Sequence, residues 1–280
     1  MERHIIKRVQ GYPTQDGAGV RLVRVLGQET VSDFDPFLML DSFDSQNPED
    51  YTAGFPMHPH RGIETISFLS KGAMTHHDSM GFTDTVGDGE VQYMTAGSGI
   101  LHEEQIPAVP RQLGLQLWLN LPARDKMADP AYHAIKNDEI QTISVDGGYV
   151  RLLMGEYEGR KGHLSRHLPL DYYDIHLQAG ASLTLKTDAE RSVMAFTLLG
   201  AAVMAGEAVP EKTAVKFSEG DTVTISAAAV DAEIMFMSSQ AVHEPVFWGG
   251  PVVMDTKDGL YQAFDELRSG TFLKKGMNQD

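Results

Sequence analysis

The sequence contains no cysteine among its 280 residues, which excludes disulfides, thiolate nucleophiles and metal sites of the cysteine type. A bound metal would therefore have to be held by nitrogen and oxygen donors. Basic residues are also scarce, since 23 lysines and arginines stand against 39 aspartates and glutamates, for a formal net charge of −16. A field of that sign repels a phosphate backbone, so direct nucleic-acid binding is not expected.

Long hydrophobic runs are absent too. The longest apolar stretches, such as residues 200–205, are far shorter than a membrane span, and the start of the chain lacks the basic and then apolar pattern of a signal peptide. We therefore expect a cytoplasmic protein that does not bind a membrane. With 42% hydrophobic and 22% charged residues, the composition is that of a globular chain with one large or two ordinary domains.

Short apolar or alternating segments, separated by Gly, Asp, Asn and Pro, follow one another along the chain, which is the pattern of an all-β protein. The predicted strands are residues 20–26, 64–69, 90–94, 113–121, 150–154, 173–177, 182–185, 193–199, 221–225 and 233–237. Their spacing is typical of β-sandwiches and barrels. Near the end, Thr256 can cap a helix that carries Leu260, Phe264 and Leu267 on one face and stops at Gly270.

The two halves of the chain resemble each other. A strand-like run ends at Gly72 in the first half and at Gly200 in the second. A Gly-Asp turn at residues 87–89, or at residues 219–221, then opens a later strand. Such self-similarity suggests a duplicated barrel.

A polar segment between Pro122 and Pro130, poor in strand-forming residues, separates the two halves. We therefore predict an N-terminal metal-binding barrel over residues 1–130. A C-terminal barrel without metal is predicted over residues 131–280, and it should end in the short helix.

Two pairs of side chains that can bind a metal occur at strand spacing. His58 and His60 are two residues apart, and so are His102 and Glu104, which follow a glycine turn. Residues two apart on a strand project from the same face, and cross-strand neighbours lie about 4.5–5.5 Å apart at Cβ. On adjacent strands the two pairs would set four ligands around one point. Glu103 has the opposite parity and should face away.

The residues around these pairs resemble known motifs. Gly54-x3-His58-x-His60-x3-Glu64-x7-Gly72 is similar to the first cupin motif, and Gly89-x7-Gly97-x-Gly99-x2-His102 is similar to the second. Four longer stretches resemble the pirin family: HPHRGIET at 58–65, MTAGSGILHEE at 94–104, GLQLWLNLP at 114–122 and EPVFWGGPVVMDT at 244–256.

The resemblance implies an all-β bicupin, with two cupin-type β-barrels in one chain and a metal only in the first. It implies His58, His60, His102 and Glu104 as the metal ligands. Other cupins often use the Glu of the first motif, so Glu64 stays open as a rival ligand or as a residue that orients the histidines. Fe(II) is the expected metal, because histidine and carboxylate ligands with open positions are typical of non-haem oxygenases; Cu, Ni, Mn, Co and Zn fit the same ligand set.

The resemblance also implies quercetin 2,3-dioxygenase activity, the O2-dependent opening of a flavonol ring. In this interpretation the metal binds the 3-hydroxyl group of a small aromatic substrate, and Glu104 is the catalytic base that takes its proton. Phe55, Met57 and Phe68 are predicted to form a wall against the flat ring. The alternative is a regulatory protein in which the metal senses redox state and the surface binds a protein partner. Cupin isomerase or lyase chemistry with Zn or Mn is a third hypothesis.

The other histidines are given smaller roles. His76 and His77 lie in a segment that could be one strand away from the predicted site. One of them could line the cavity, but surface positions are expected for them. His163 and His167 have the spacing of a helical metal pair, but no carboxylate partner is evident, so they are not expected to bind a metal.

Overall fold

A computed structural model describes residues 1–274 and is built mainly of β-strands. The first twelve are β1 (Ile5–Gln10), β2 (Tyr12–Asp16), β3 (Val20–Leu26), β4 (Phe37–Ser45), β5 (Phe55–His60), β6 (Ile63–Lys71), β7 (Met74–Asp78), β8 (Thr83–Val86), β9 (Val91–Thr95), β10 (Ile100–Gln105), β11 (Gln112–Asn120) and β12 (Ala131–Ile135). The next fourteen are β13 (Gln141–Val145), β14 (Gly148–Met154), β15 (Glu156–Tyr157), β16 (Arg160–Lys161), β17 (Leu170–Leu177), β18 (Ser182–Lys186), β19 (Ser192–Leu199), β20 (Ala202–Met204), β21 (Glu207–Val209), β22 (Thr213–Phe217), β23 (Thr222–Ala227), β24 (Ala232–Ser239), β25 (Phe247–Gly249) and β26 (Val252–Met254). Every strand predicted from the sequence coincides with one of these.

Helical structure is limited. The α-helices are α1 (Val31–Phe34) and α2 (Lys257–Ser269), and single 3-10 turns occur at Gln28–Thr30, Pro48–Asp50 and Ala123–Asp125. Within residues 1–274, no helix has the length and apolar character needed to cross a membrane.

The chain divides into two compact units, neither of which is one continuous segment. The histidine unit comprises residues 13–24, 37–136 and 242–274, and the second unit comprises Met1–Tyr12, Val25–Pro36 and Asn137–Ala241. The predicted division at residue 130 therefore differs from the observed units. Strand β1 lies before residue 130 but belongs to the second unit. Strand β12 and the C-terminal helix lie after residue 130 but belong to the histidine unit.

Both units have the same plan, a seven-stranded and a four-stranded sheet. In the histidine unit the strand orders are β12-β9-β6-β11-β4-β3-β2 and β5-β10-β7-β8. In the second unit they are β1-β22-β19-β24-β17-β14-β13 and β18-β23-β20-β21. Strand by strand, β1 is the counterpart of β12. Each edge strand covers the open backbone groups of its neighbour, β22 or β9. No single boundary describes the units, because β1 lies at the start of the chain but belongs to the second unit, and residues 242–274 return to the histidine unit.

The repeated plan confirms the suspected duplication, but the two Gly-Asp turns that suggested it are not equivalent. The turn at residues 87–89 precedes β9, in a seven-stranded sheet. The turn at residues 219–221 precedes β23, which lies in a four-stranded sheet and is the counterpart of β10. A glycine turn serves equally well before either strand, so turn chemistry alone does not reveal which sheet the next strand joins.

In the second unit, the two strands equivalent to those that carry the predicted ligand pairs have buried apolar side chains. Its strands β18 and β23 are the counterparts of β5 and β10. They contribute Leu185, Val223 and Ile225 to the hydrophobic core of that unit. Because aliphatic side chains cannot bind a metal, these three residues do not repeat the histidine site of the other unit.

The C-terminal helix begins and ends where the sequence predicts. The hydroxyl oxygen of Thr256 accepts a hydrogen bond from a backbone N–H in the first turn of α2, and Gly270, at φ 73°, ends the helix in the left-handed conformation. Leu260 and Leu267 pack against an apolar cluster that includes Leu101 of β10. The helix therefore belongs to the histidine unit, whereas the sequence placed it at the end of the C-terminal barrel.

Lys126 is a buried lysine that joins three segments of the histidine unit. Its ammonium group donates to the carbonyl oxygens of Gly62 and Val253, at 2.8 and 3.1 Å, and to Oδ1 of Asn120, at 2.6 Å. Burial lowers the pKa of Lys126 to about 7, but three acceptor oxygens match the three N–H bonds of the protonated form. The residue thus fixes the segment before α2 to the strands that carry the candidate site.

We expect Lys126→Met to lower the free energy of unfolding of the histidine unit by about 2–4 kcal/mol, because three buried acceptors lose their donor. The measurement is calorimetric unfolding. The control is Lys71→Met, at a side chain that is 58% exposed and forms a surface ion pair with Asp88, where the change should stay within about 0.5 kcal/mol. Equal transition temperatures for both variants would contradict the role given to Lys126.

Candidate metal centre

Strands β5 and β10 are neighbours in the four-stranded sheet and bring the predicted pairs of side chains together. His58 lies directly opposite His102, and a β-bulge separates this position from the one that Glu104 occupies. Along β10, His102 and Glu104 are buried while Glu103 is only half-buried. The expected parity of these three residues is therefore observed.

His58, His60 and His102 form a compact cluster. Their ring centroids lie 4.4–5.1 Å apart, and one nitrogen from each ring lies within 4.8 Å of the others. His60 and His102 are almost completely buried, with 3% and 1% of their surface exposed, and His58 is half-buried. Glu104 is not part of this close group.

The protons of two imidazoles can be placed from their partners. Nδ1 of His58 lies 2.9 Å from the carbonyl oxygen of Pro56, and Nδ1 of His60 lies 3.1 Å from that of Pro251. A carbonyl oxygen can only accept, so each Nδ1 carries the proton and each Nε2 is a bare lone pair. These two Nε2 atoms are 3.0 Å apart. Two facing lone pairs repel each other unless a cation lies between them.

The geometry fits a divalent ion. Two ligand nitrogens about 2.0–2.1 Å from one ion, and at right angles around it, lie about 2.9 Å from each other. The third ring completes the pattern, because Nε2 of His102 is buried and has no hydrogen-bond partner in the part of the chain that the structure describes. All three imidazoles therefore present an Nε2 atom that no protein group uses.

Electrostatics keep these rings in the form that binds a metal. Burial lowers the pKa of all three histidines, and the neighbouring imidazoles lower those of His60 and His102 further. For His60 the pKa falls to about 3. Since a metal binds the neutral imidazole, little free energy is needed to remove competing protons at neutral pH.

Glu104 is a buried carboxylate beside the cluster. Both of its oxygens accept hydrogen bonds from Nε2 of Gln116, at 3.3 and 3.1 Å. Burial raises the pKa of Glu104 to about 7, and hydrogen bonds from Gln116 and Ser67 limit the shift. A nearby cation would favour its ionised form.

The rival carboxylate, Glu64, is engaged elsewhere. It is fully buried on β6, and its Oε1 accepts hydrogen bonds from the hydroxyl groups of Tyr93, at 2.6 Å, and Thr95, at 2.7 Å. Its oxygens are not in the close group formed by the three imidazoles. Two hydroxyl groups thus hold one oxygen of Glu64 in place on β6.

Two residues of β7 are buried beside the cluster; the sequence placed His76 one strand from the site but gave Asp78 no role. His76 and Asp78 lie directly opposite Glu104 and His102, and they are 1% and 2% exposed. The predicted surface position is therefore wrong for His76 but holds for His77, which is exposed. The signal was available, because His76 and Asp78 are two residues apart, like the ligand pairs.

Aromatic rings contact the imidazoles, but they are not those that the sequence suggested. Tyr132 stacks on His76 with centroids 4.0 Å apart, and the edge of Trp118 meets His60 at 5.0 Å. Of the residues predicted to form an aromatic wall, Phe55 belongs to an apolar core cluster, Phe68 is fully buried and Met57 is 45% exposed.

Comparison with known proteins agrees with this architecture. The profile of the pirin family matches residues 19–119, and that of the pirin C-terminal cupin domain matches residues 172–273. A pirin-like protein from Caulobacter vibrioides is 42% identical over 274 residues, covering 96% of this chain and 99% of that protein. Pirin from Homo sapiens is 34% identical over 261 residues, covering 91% of this chain and 88% of that protein.

A solved structure shows the same fold over nearly the whole chain. The crystal structure of quercetin 2,3-dioxygenase from Acinetobacter baumannii has a TM-score of 0.89 at 31% identity, and the match covers 97% of this chain and 99% of that one. The expectation of two cupin-type barrels with one short C-terminal helix is thus confirmed. This chain belongs to the pirin family.

Proposed function

We propose that this protein is a metal-dependent dioxygenase that cleaves flavonols such as quercetin. The observation that carries the proposal is the pair of bare Nε2 atoms of His58 and His60, 3.0 Å apart, beside the unpartnered Nε2 of His102. The similarity to a structure named quercetin 2,3-dioxygenase supports the choice of reaction.

The three imidazoles and Glu104 are proposed to hold one Fe(II). Glu104 lies two residues from His102 on the same buried face of β10, and its burial makes an isolated negative charge costly. A divalent cation beside it would compensate that charge. Four protein ligands leave positions open for substrate, and Cu, Ni, Mn, Co or Zn would suit the same donors.

In the proposed reaction, the residues of the site have separate roles. The bound ion supplies Lewis acidity and redox chemistry to the flavonol's 3-hydroxyl group and to O2. Glu104, kept ionised by the cation beside it, takes the hydroxyl proton. The amide of Gln116 holds the carboxylate in place. His58, the most exposed of the three histidines, marks the side from which the substrate can approach. One O2 is consumed and one carbon monoxide released for each ring opened.

We expect the affinity for the metal to fall below pH 7 by about tenfold per pH unit, because the metal competes with the proton on Glu104. The imidazoles should add less to this slope than ordinary histidines would, since burial lowers their pKa values. Competition with a chelator from pH 5 to pH 8 measures the slope. The same titration of Glu104→Gln should be nearly flat, and an equally steep slope in that variant would exclude Glu104 as a ligand.

A second candidate function is a regulatory protein in which the metal senses redox state and the surface binds a protein partner. The near-complete burial of His60, His102 and Glu104 favours it, because a closed site suits electron transfer better than substrate turnover. Anaerobic metal loading followed by O2 uptake with a flavonol panel distinguishes the two. Flavonol-dependent uptake supports the enzyme, and a fully loaded protein without uptake supports the regulator.

A further inference from the structure

The third histidine of the cluster is held differently from the other two. Nδ1 of His102 lies 3.3 Å from Nδ1 of His76, and Nε2 of His76 lies 2.9 Å from Oδ2 of Asp78. All three side chains are at least nine-tenths buried. Asp78, His76 and His102 are thus connected by hydrogen bonds. We call this series of three side chains, which ends at the candidate metal position, the relay.

Backbone N–H groups hold the carboxylate of Asp78 in place. Oδ1 of Asp78 accepts hydrogen bonds from the N–H groups of Met80, at 2.8 Å, and Phe82, at 3.2 Å. Both donors engage Oδ1 and leave Oδ2 to face His76. The ring of Tyr132 stacks on the imidazole of His76, with centroids 4.0 Å apart and an angle of 8° between the two ring planes.

The position of each proton can be assigned in turn, starting at Asp78 and ending at His102. An ionised carboxylate only accepts, so Nε2 of His76 carries a proton and donates it to Asp78. In a neutral His76 the Nδ1 atom is then a lone pair, and it must accept from His102. The proton of His102 therefore sits on Nδ1, which leaves Nε2 as the lone pair that faces the other two imidazoles.

We propose that Asp78 and His76 are positioning residues that fix the tautomer of His102 and so make its Nε2 a metal ligand. The inference rests on the proposed metal centre, but it concerns a feature of the metal-free chain. His58 and His60 are oriented by neutral carbonyl oxygens, whereas His102 is linked to a carboxylate. A carboxylate strengthens an imidazole as a donor, so the relay should make His102 the strongest of the three ligands.

Asp78→Asn tests the relay because it should move the proton of each of the two imidazoles to the other ring nitrogen. The two backbone donors retain the amide oxygen at the position of Oδ1, which places the NH2 group opposite Nε2 of His76. That group donates, so His76 must carry its proton on Nδ1 and donate it to His102. His102 would then present an N–H to the metal. An isosteric change that enforces the wrong tautomer is known to be severe in catalytic triads.

The experiment combines two readouts on the full-length chain. Long-range ¹⁵N–¹H NMR of the metal-free protein reports which ring nitrogen carries the proton, and the His76→Gln and His102→Gln proteins assign the signals. Chelator competition with Zn²⁺ reports affinity. We expect the wild type to carry protons on Nδ1 of His102 and Nε2 of His76. Asp78→Asn should invert both and weaken Zn²⁺ binding at least 10- to 100-fold, the usual effect of losing such a partner.

The matched control is His77→Asn, on the same strand. His77 is exposed and bonds Oγ1 of Thr83, so the change should leave both readouts as in the wild type. A wild-type spectrum with the proton of His102 on Nε2 would overturn the relay, as would wild-type affinity in Asp78→Asn. If the wild-type tautomers are as expected but Zn²⁺ does not bind, the relay stands and the metal centre fails.

Discussion

Glu104→Gln is expected to lower flavonol turnover by a factor of about 10²–10⁴, the usual effect of removing a positioned general base, while the metal is retained at saturating concentration. The amide keeps the shape of the carboxylate but loses its charge and almost all of its basicity. The three imidazoles remain and can still hold a divalent ion, at reduced affinity. Steady-state O2 uptake with quercetin, normalised to bound metal, measures the effect.

Glu103→Gln is the matched control for this prediction. Glu103 is adjacent in sequence, but it has the opposite parity on β10 and is only half-buried, whereas Glu104 is buried. Its substitution should leave turnover within about a factor of two, in line with surface changes in general. A metal-loaded Glu104→Gln protein that turned over quercetin at the parent rate would rule out Glu104 as the base.

His60→Ala is expected to abolish metal binding without unfolding the protein. In the wild type, a metal present at 100 times its dissociation constant stabilises the folded state by about 2.7 kcal/mol. The variant should show no such gain. Its metal-free form should lose only about 1–2 kcal/mol, because the substitution also removes the repulsion between the two facing Nε2 atoms. Thermal unfolding with and without Co²⁺ measures both quantities.

The control here is His77→Ala, which removes an exposed imidazole from β7. That variant should keep the full metal-dependent shift in unfolding temperature. Loss of native circular dichroism in His60→Ala at room temperature would mean that the fold depends on the cluster. A normal shift in His60→Ala would mean that the metal binds elsewhere.

The fold was largely predictable because its signals are local. Alternating side chains and glycine turns located the strands, and Thr256 and Gly270 located the ends of α2. Which strands pair was not predictable in the same way. β1 pairs with β22, which lies far along the chain, and the alternation of apolar residues within a strand carries no information about its neighbour.

The three histidines were predictable because their two-residue spacing fixes the face on which they lie. The groups that orient them were not. The carbonyl oxygen of Pro251 reaches His60 from far along the chain, and any residue could have supplied it. Asp78 and His76 reach His102 only because β7 lies next to β10. The sequence showed their spacing, but the pairing of β7 with β10 is a tertiary fact.

The most direct test of the metal centre is an anomalous difference map from crystals of the protein loaded with Co²⁺. We predict one peak per chain, about 2.0–2.1 Å from Nε2 of His58, His60 and His102. The same map shows whether a carboxylate oxygen of Glu104 joins them. A peak bound to other residues, a second peak of equal height in the second unit, or no peak at all would contradict this account.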